Sequence, residues 1–352
     1  MFHLILPVCL ALATDQCAKI LLPRGDSSDP ASCLAAAGPV VSDWMAGRED
    51  LVAGTPDCIP NADLPALPLE ALSPGVLVHP GRPVAMEDSA DGHIANLGVV
   101  IGRDAVAVID AGTTRAQGQA LYVAIRRRTD LPIRHVVLTH MHPDHVLGAA
   151  VLAEAGAQVV AHHAMPAALQ ARADGYLRLV RDLYPAREWI GTAVAMPDRL
   201  VEDRATLDLG DRELDLRAWP AAHTDNDLTV TDRRSATLFA GDLLFRDLTP
   251  VVDGSLRGWL EWLDSDPAAG ARWIVPGHGP VGESWAQVAA PQAAFLKALA
   301  DSTRAAIDRG LPLSEAVPDI VKALQGLRDP WNDYDVTVAR DATAAYKELE
   351  WE

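Results

Sequence analysis

No cysteine follows Cys58 in this chain of 352 residues; Cys9, Cys17, Cys33 and Cys58 all precede residue 60. A large core without thiols needs no covalent staple, whereas a short segment dense in them reads as a disulfide-held module and favours an oxidising compartment. Unpaired thiols or a metal site form the competing reading, but no Cys-x-x-Cys pair is present. Long apolar runs are also missing. No stretch reaches the roughly 20 residues of a membrane-spanning helix, which argues against a membrane span. Positive charge is scarce: 30 Lys and Arg stand against 48 Asp and Glu, a formal net charge of −18. Such a surface repels polyanions and argues against nucleic acid as a partner. The one short basic run, Arg126-Arg127-Arg128, has Asp130 just after it and reads as the solvated C-terminus of a helix. Internal repeats and low-complexity tracts are absent. With 49% hydrophobic and 22% charged residues, the chain is neither disordered nor short of core-forming side chains.

Three parts follow along the chain, 1–70, 71–285 and 286–352. The first holds the cysteines, a helix-like stretch from Ser32 to Met45 and a Pro-rich exit through Pro60, Pro65 and Pro68 that reads as a linker. Leu4 to Ala13 resembles a short signal-peptide core, but no Lys or Arg precedes it and cleavage after Ala13 would leave an odd number of cysteines. Phe2 to Ala13 is therefore expected to be a strand of the mature module. From Gly75 onward, short β-branched runs bounded by turn residues mark strands at Val76–His79, Leu97–Ile101 and Ala105–Ile109. A helix to Arg128, a strand at His135–Leu138, a helix from Leu147 to Ala155 and a strand from Gln158 to Ala161 come next. After a helical stretch from Ala164 to Glu188, further strands are expected at Thr206–Leu209, Glu213–Trp219, Leu228–Thr231, Ala236–Phe239 and Trp273–Val275. Two sheet-forming halves with intervening helices predict a layered α/β sandwich. Beyond Pro280 the pattern is helical, with breaks at Gly310-Leu-Pro312 and Asp329-Pro330-Trp331.

The strongest chemical signal is Thr139-His-Met-His-Pro-Asp-His145, directly after the strand His135–Leu138. Three imidazoles and a carboxylate within six residues, on a loop at a strand's C-terminal end, can aim several donors at one volume. A packed core seldom needs that arrangement. Imidazole and carboxylate are ligands that zinc takes. The segment matches the HxHxDH signature of the metallo-β-lactamase fold, and later motifs agree in order: His223 in Ala222-His-Thr224, Asp242 in Phe239-Ala-Gly-Asp-Leu-Leu-Phe245, and His278 in Val275-Pro-Gly-His-Gly-Pro280. The resemblance spans about Gly75 to Gly282. It implies a four-layer αββα sandwich with two Zn²⁺ ions, iron or mixed metals being the alternative occupants. His140, His142 and His223 would hold one ion and Asp144, His145 and His278 the other, with Asp242 bridging. Asp110 resembles the family's acidic residue that fixes an imidazole's orientation; a simple turn aspartate is the competing reading.

On that resemblance, a hydroxide formed from a water shared between the ions attacks an ester, thioester, lactone or amide carbonyl of a small acyl substrate. Asp144 and Asp242 are the carboxylates expected at the reacting centre, Asp144 helping to position the nucleophile. No Ser, Cys or Lys nucleophile is implied. A histidine at 142, where flavodiiron-type members carry glutamate, favours hydrolysis over oxygen or nitric oxide reduction. The short interval from Asp242 to His278 leaves no room for the extra domain of RNA-processing members. Aspartate rather than cysteine at 242 makes β-lactam hydrolysis the lesser alternative. Ala95–Ile101, His223–Thr229, Leu248–Trp259 and Ala345–Trp351 resemble the SoxH-like branch, the quinoprotein relay system zinc metallohydrolases. That branch implies a periplasmic or secreted protein, possible association with a quinoprotein partner and no particular substrate. A zinc-binding maturation or interaction factor without turnover, and an iron-dependent oxidoreductase, are the rival readings. His162 and His163 are read as solvent-facing or capping, His79 and His135 as structural, and His3 and His93 are unassigned. Trp259 and Trp262 have helical core spacing. The expected cysteine pairing is Cys9 with Cys58 and Cys17 with Cys33.

Overall fold

The structure, a computed structural model, describes residues 1–351. The chain begins with strands β1 (Phe2–Leu10) and β2 (Ala13–Ser27), helix α1 (Pro30–Met45), and strands β3 (Leu51–Ala53) and β4 (Asp57–Pro60). β1 is central, pairing antiparallel with β2, β3 and β4. Leu4, Leu6 and Val8 alternate along it and face α1, where they pack with Ile20, Leu22, Cys33 and Trp44. Ile5 points the other way, with Leu21, into the core of the next part of the chain. Asp29 caps α1 by accepting from Ser32 N at 2.9 Å, and Pro30 occupies the first turn, where its missing N–H costs nothing.

The cysteine pairing is corrected. Disulfides join Cys9 to Cys17 and Cys33 to Cys58. The strand β2 was not foreseen, and the β1–β2 hairpin sets Cys9 directly opposite Cys17, with their Cα atoms 4.0 Å apart. Cys58 lies instead opposite Leu4, five positions along β1 from Cys9, roughly 16 Å at strand rise. There it faces α1 and Cys33. The basic run ends a helix with Arg127 and Arg128 exposed, as expected, and it also ties down the linker: Arg127 donates to the carbonyls of Asn61, Ala62 and Leu64, and Arg128 to that of Leu69. These guanidinium groups hold the linker against the body.

Two sheets form the body. The first has seven strands in the order β11-β10-β9-β8-β7-β6-β5. Its members are β5 (Glu70–Ser73), β6 (Val76–His79), β7 (Leu97–Ile101), β8 (Val106–Ile109), β9 (Ile133–Val137), β10 (Gln158–His162) and β11 (Arg199–Val201). Pairing is antiparallel from β5 to β8 and parallel from β8 to β11. Helices α2 (Arg115–Arg126), α3 (Pro143–Val146), α4 (Ala149–Glu154), α5 (Met165–Leu183) and α6 (Ala186–Trp189) lie between these strands in sequence. The second sheet runs β12 (Arg204–Asp208), β13 (Glu213–Ala218), β14 (Leu228–Asp232), β15 (Thr237–Phe245) and β16 (Trp273–His278). Helix α7 (Leu256–Asp264) precedes β16, and α8 (Trp285–Asp308), α9 (Leu313–Ala323) and α10 (Tyr334–Leu349) follow it.

Period-2 alternation decides the layers. Val106 and Val108 of β8 pack outward with Leu121 and Ile125 of α2, while Ala107 and Ile109 face inward, against Leu216, Val230 and Phe239 of the second sheet. Leu238 and Ile274 pack on the outer face of that sheet with α7 to α10. The result is a helix-sheet-sheet-helix sandwich. Gly98 permits the close approach of the sheets, because a Cβ there would sit 2.4 Å from the Phe239 ring. Among the described residues, no helix is long and apolar enough to cross a membrane.

Buried Arg212, paired with Asp232, ties the second sheet to the first. Arg212 Nε and Nη2 donate to Asp232 at 3.0 and 2.6 Å, and Nη1 donates to the carbonyls of Pro74 and Ile101 in the first sheet. Arg212→Ala leaves the Asp232 charge buried and unpaired, and is expected to cost about 3–5 kcal/mol, read as a lower urea midpoint at unchanged slope. Peptide mapping under non-reducing conditions is expected to recover Cys9 linked to Cys17 and Cys33 linked to Cys58; a fragment linking Cys9 to Cys58 would contradict the hairpin register.

Candidate metal centre

The seven side chains singled out in the sequence converge. The loop after β9 delivers four of them, because Pro143 starts α3 with a ready-made helical φ. His142 precedes that turn in extended conformation, and Asp144 and His145 occupy the turn itself. His223 comes from the β13–β14 loop, which Asp227 closes by accepting from Thr224 N and Oγ1 at 2.9 and 2.6 Å. Asp242 lies within β15 and His278 ends β16. Donor atoms of His140, His142, His223 and Asp242 form one group, and those of Asp144, His145 and His278 a second, each group lying within 4.8 Å.

Asp242 stands between the groups. Its Oδ2 is 3.6 Å from Nε2 of both His140 and His223 and 3.3 Å from that of His278, while Oδ1 is 3.2 Å from His145 Nε2. Asp144 Oδ2 is 3.3 Å from the Nε2 atoms of both His145 and His278. A Cβ on Gly277 would fall 1.8 Å from Asp242 Oδ1, so a glycine is needed beside this carboxylate.

Each ring is turned by an outer partner, which fixes its tautomer. Nδ1 of His145 lies 2.8 Å from Asp110 Oδ2, that of His223 lies 2.7 Å from the Val251 carbonyl, and that of His278 lies 3.0 Å from the Ile94 carbonyl. These acceptors place the proton on Nδ1. Thr139 Oγ1 donates to Asp110 and so accepts from Nδ1 of His140 at 3.1 Å. His142 is the reverse case: its Nε2 faces Asp253 Oδ2 at 3.0 Å, leaving Nδ1 pointing inward. The inner nitrogens of five rings and two carboxylates therefore meet in one buried volume. His142 Nδ1 and His223 Nε2 approach to 3.0 Å with both ring protons committed elsewhere, and His140 Nε2 is buried without a hydrogen-bond partner.

Such an arrangement fits cations. Ligand atoms around a tetrahedral ion with bonds of about 2.0–2.1 Å stand roughly 3.3 Å apart, close to the 3.0–3.6 Å separations found among these donors. Electrostatics agree. Burial, then His145, hold His140 well below the usual imidazole range, and burial lowers His223 to about 3. Burial alone would raise the Asp144 and Asp242 carboxyls, but the facing histidines hold both well below the carboxylate range. Burial likewise opposes charge on His145 and His278, yet the carboxylates, led by Asp242, overcome it: His145 is raised well above its ordinary value and His278 to about 9. The carboxylates that would hold a cation can thus hold protons on these two rings in its place.

Asp110 sits in the left-handed region at φ 58°, a conformation aspartate tolerates, and accepts from Thr139 N, Thr139 Oγ1 and His145 Nδ1. It is no simple turn residue. Sequence reading missed Asp253 and the Val251 and Ile94 carbonyls. Asp253 lies in the quoted segment Leu248–Trp259, but no local pattern shows that it reaches His142; the carbonyls leave no sequence signal at all. Trp259 and Trp262 are buried as expected, and the Trp259 ring packs 5.2 Å from His223. His162 is buried and accepts from Ala164 N, a capping contact, while His163 is exposed. His79 bonds the Pro68 carbonyl, and His135 is buried. His3, unassigned from sequence, bridges Asp26 and Asn61. His93 packs edge-on against His79.

A model of the metallo-β-lactamase superfamily matches residues 90–278, a little over half of the chain. The chain belongs to the metallo-β-lactamase superfamily. It is a hydrolase of that superfamily. Among solved structures, the stereoselective inverting sec-alkylsulfatase Pisa1 from Pseudomonas sp. is similar, with a TM-score of 0.63 and 19% identity over 80% of this chain and 50% of that one. The chain thus spans about half the length of the sulfatase. A metallo-β-lactamase from Pontibacter korlensis gives 0.52 and 19% identity over 66% of this chain and 99% of its own, and the DIM-1 metallo-β-lactamase 0.52 and 16% over 67% and 99%. At these identities the likeness is one of fold. No curated protein matches the chain significantly.

Metal loading is expected to release protons near neutral pH, since an ion must displace them from His145 and His278. Apparent affinity should rise as pH increases from about 6.5, the ordinary histidine value, towards the value of about 9 reached by His278. Calorimetry in buffers of different ionisation enthalpy measures the proton count. A pH-independent affinity over that window would contradict the arrangement.

Proposed function

We propose that this superfamily member is a binuclear zinc hydrolase acting on the acyl carbonyl of a small ester, thioester, lactone or amide. One observation carries the reading: the metal-ligating atoms of five rings and two carboxylates converge on one buried volume, with Asp242 spanning both groups. Imidazole and carboxylate donors suit zinc, with iron or mixed metals as competing occupants. Divalent cations held by the two groups supply Lewis acidity, lowering the pKa of water toward 7 and stabilising oxyanion charge. His140, His142 and His223 would form the first site and Asp144, His145 and His278 the second.

The chain's own residues then set access and order. Six of the seven side chains are buried, whereas that of His142 is 17% exposed and that of its partner Asp253 28%. Substrate would therefore approach along the His142–Asp253 edge. Asp144, beside His145 and His278, would position the attacking oxygen. Asp110, Thr139, Val251, Asp253 and Ile94 each turn one nitrogen of a ring outward, so that the other nitrogen faces the cation site. The resemblance of Leu248–Trp259 and Ala345–Trp351 to the SoxH-like branch supports a role beside a quinoprotein system, and two disulfides favour an oxidising, periplasmic or extracellular setting.

Metal-loaded protein is expected to turn over at least one member of a panel of lactones, S-lactoylglutathione, aryl esters and nitrocefin; turnover of secondary alkyl sulfates alone would contradict the acyl-carbonyl reading. Asp242→Asn, which weakens both groups together, should lower kcat/KM by about 100-fold or more, beyond the usual cost of losing a supporting hydrogen bond. Protein that carries two ions yet hydrolyses nothing in the panel would instead be a binding or maturation factor.

A further inference from the structure

The two donor groups are held by different parts of the chain. Asp110 and the Ile94 carbonyl, which turn His145 and His278, adjoin strands β8 and β7 of the first sheet. The acceptors that turn His142 and His223 lie instead in one loop, residues 248–255 between β15 and α7, at Asp253 and Val251.

That loop is fastened to the C-terminal segment. Thr249 N and Oγ1 donate to the Asn332 carbonyl at 3.1 and 2.6 Å, and Asn332 N donates to the Asp247 carbonyl at 2.8 Å. Val252 N donates to Asp341 Oδ1 at 2.9 Å. At the loop's end, Ser255 Oγ and Leu256 N donate to the Glu348 carboxylate at 2.6 and 2.7 Å. Asp341 and Glu348 are seven residues apart on α10 and so share one of its faces. Val252 stands directly between the two orienting residues, so its tether bears on both. Asp341 is fully buried and spends its Oδ1 on that N–H.

We propose that α10 braces one of the two cation sites, with Asp341 as a positioning residue that sets affinity and geometry at the His140–His142–His223 group through the Val252 backbone. The proposal rests on the two-cation reading above. Burial pushes the Asp341 carboxyl up to about 8, so it is mostly neutral at pH 7 and an amide is a close substitute. Loss of the tether lets the Val251–Asp253 peptides shift, and both rings lose their fixed orientation together. The Asp144–His145–His278 group has no such dependence.

Cobalt(II) titration of chelator-stripped, full-length protein tests this, followed by the visible spectrum and by competition with a chromogenic chelator. His223→Ala identifies which binding step belongs to the first group. Asp341→Ala is expected to weaken that step by about 10–100-fold and to alter its spectrum, leaving the other step unchanged. Asp341→Asn, which keeps an oxygen for Val252 N–H, should restore both properties. Should Asp341→Ala fail to fold, as judged by circular dichroism, the partly exposed Glu348→Ala replaces it, with a smaller loss confined to the same step. Equal weakening of both steps, no change in either in folded protein, or an asparagine variant as impaired as alanine would overturn the brace. Failure of the underlying reading is separately visible: the unaltered protein would then bind no cobalt, before any variant is made.

Discussion

Convergence of five imidazoles and two carboxylates in one buried volume is the constraint around which this molecule is organised. The rings do not converge by choice; each is held inward because its other nitrogen is tied outward. Asp110 does this for His145 and, through Thr139, for His140; Asp253 does it for His142; backbone carbonyls do it for His223 and His278. Burial makes every lone pair costlier to leave unsatisfied and every positive charge placed among them more strongly held. The drive toward cations, or toward protons on His145 and His278 in their place, follows from that geometry.

The sandwich makes such convergence possible because the two sheets contribute from facing edges. The β9 loop and Asp110 come from the first sheet, while Asp242 and His278 come from neighbouring parallel strands of the second. The inter-sheet core and the bonds from Arg212 to the Pro74 and Ile101 carbonyls fix the separation between them. A shift of a few tenths of an ångström between sheets would change the spacing of Asp242 from His145, and with it the balance between the two donor groups. Around this centre, the outer helices are unequal in role. Those on the first sheet cover a hydrophobic face, whereas α10 also holds a loop on which two rings depend.

The cysteine-bearing segment is joined to the body by side chains as well as by chain continuity. Leu21 N donates to Gln119 Oε1, and Gln119 Nε2 donates to the Lys19 carbonyl, so a carboxamide on α2 pairs with the exposed edge of β2 much as another strand would. Buried Arg115 adds a bond to the Leu21 carbonyl and an ion pair with Glu154. An edge that could otherwise recruit a second chain is occupied.

Sequence by itself determined the chemistry and the alternation. Three histidines and an aspartate packed behind one strand, with His223, Asp242 and His278 following in order, named the donors because residue type and local spacing are written in the chain. β-branched runs such as Val76–His79 and Leu97–Ile101 marked strands because a sheet buried on both faces demands them. Tertiary structure alone decided what depends on registers and crossings between distant segments. The hairpin partner of β1, unannounced by any regular pattern between Ala13 and Ser27, set the disulfide pairing. The contacts of Asp253 with His142 and Asp341 with Val252 span 111 and 89 residues, and no local periodicity encodes a hydrogen bond across such distances. A ligand's identity is a property of its side chain; its orientation belongs to whatever the fold brings up behind it.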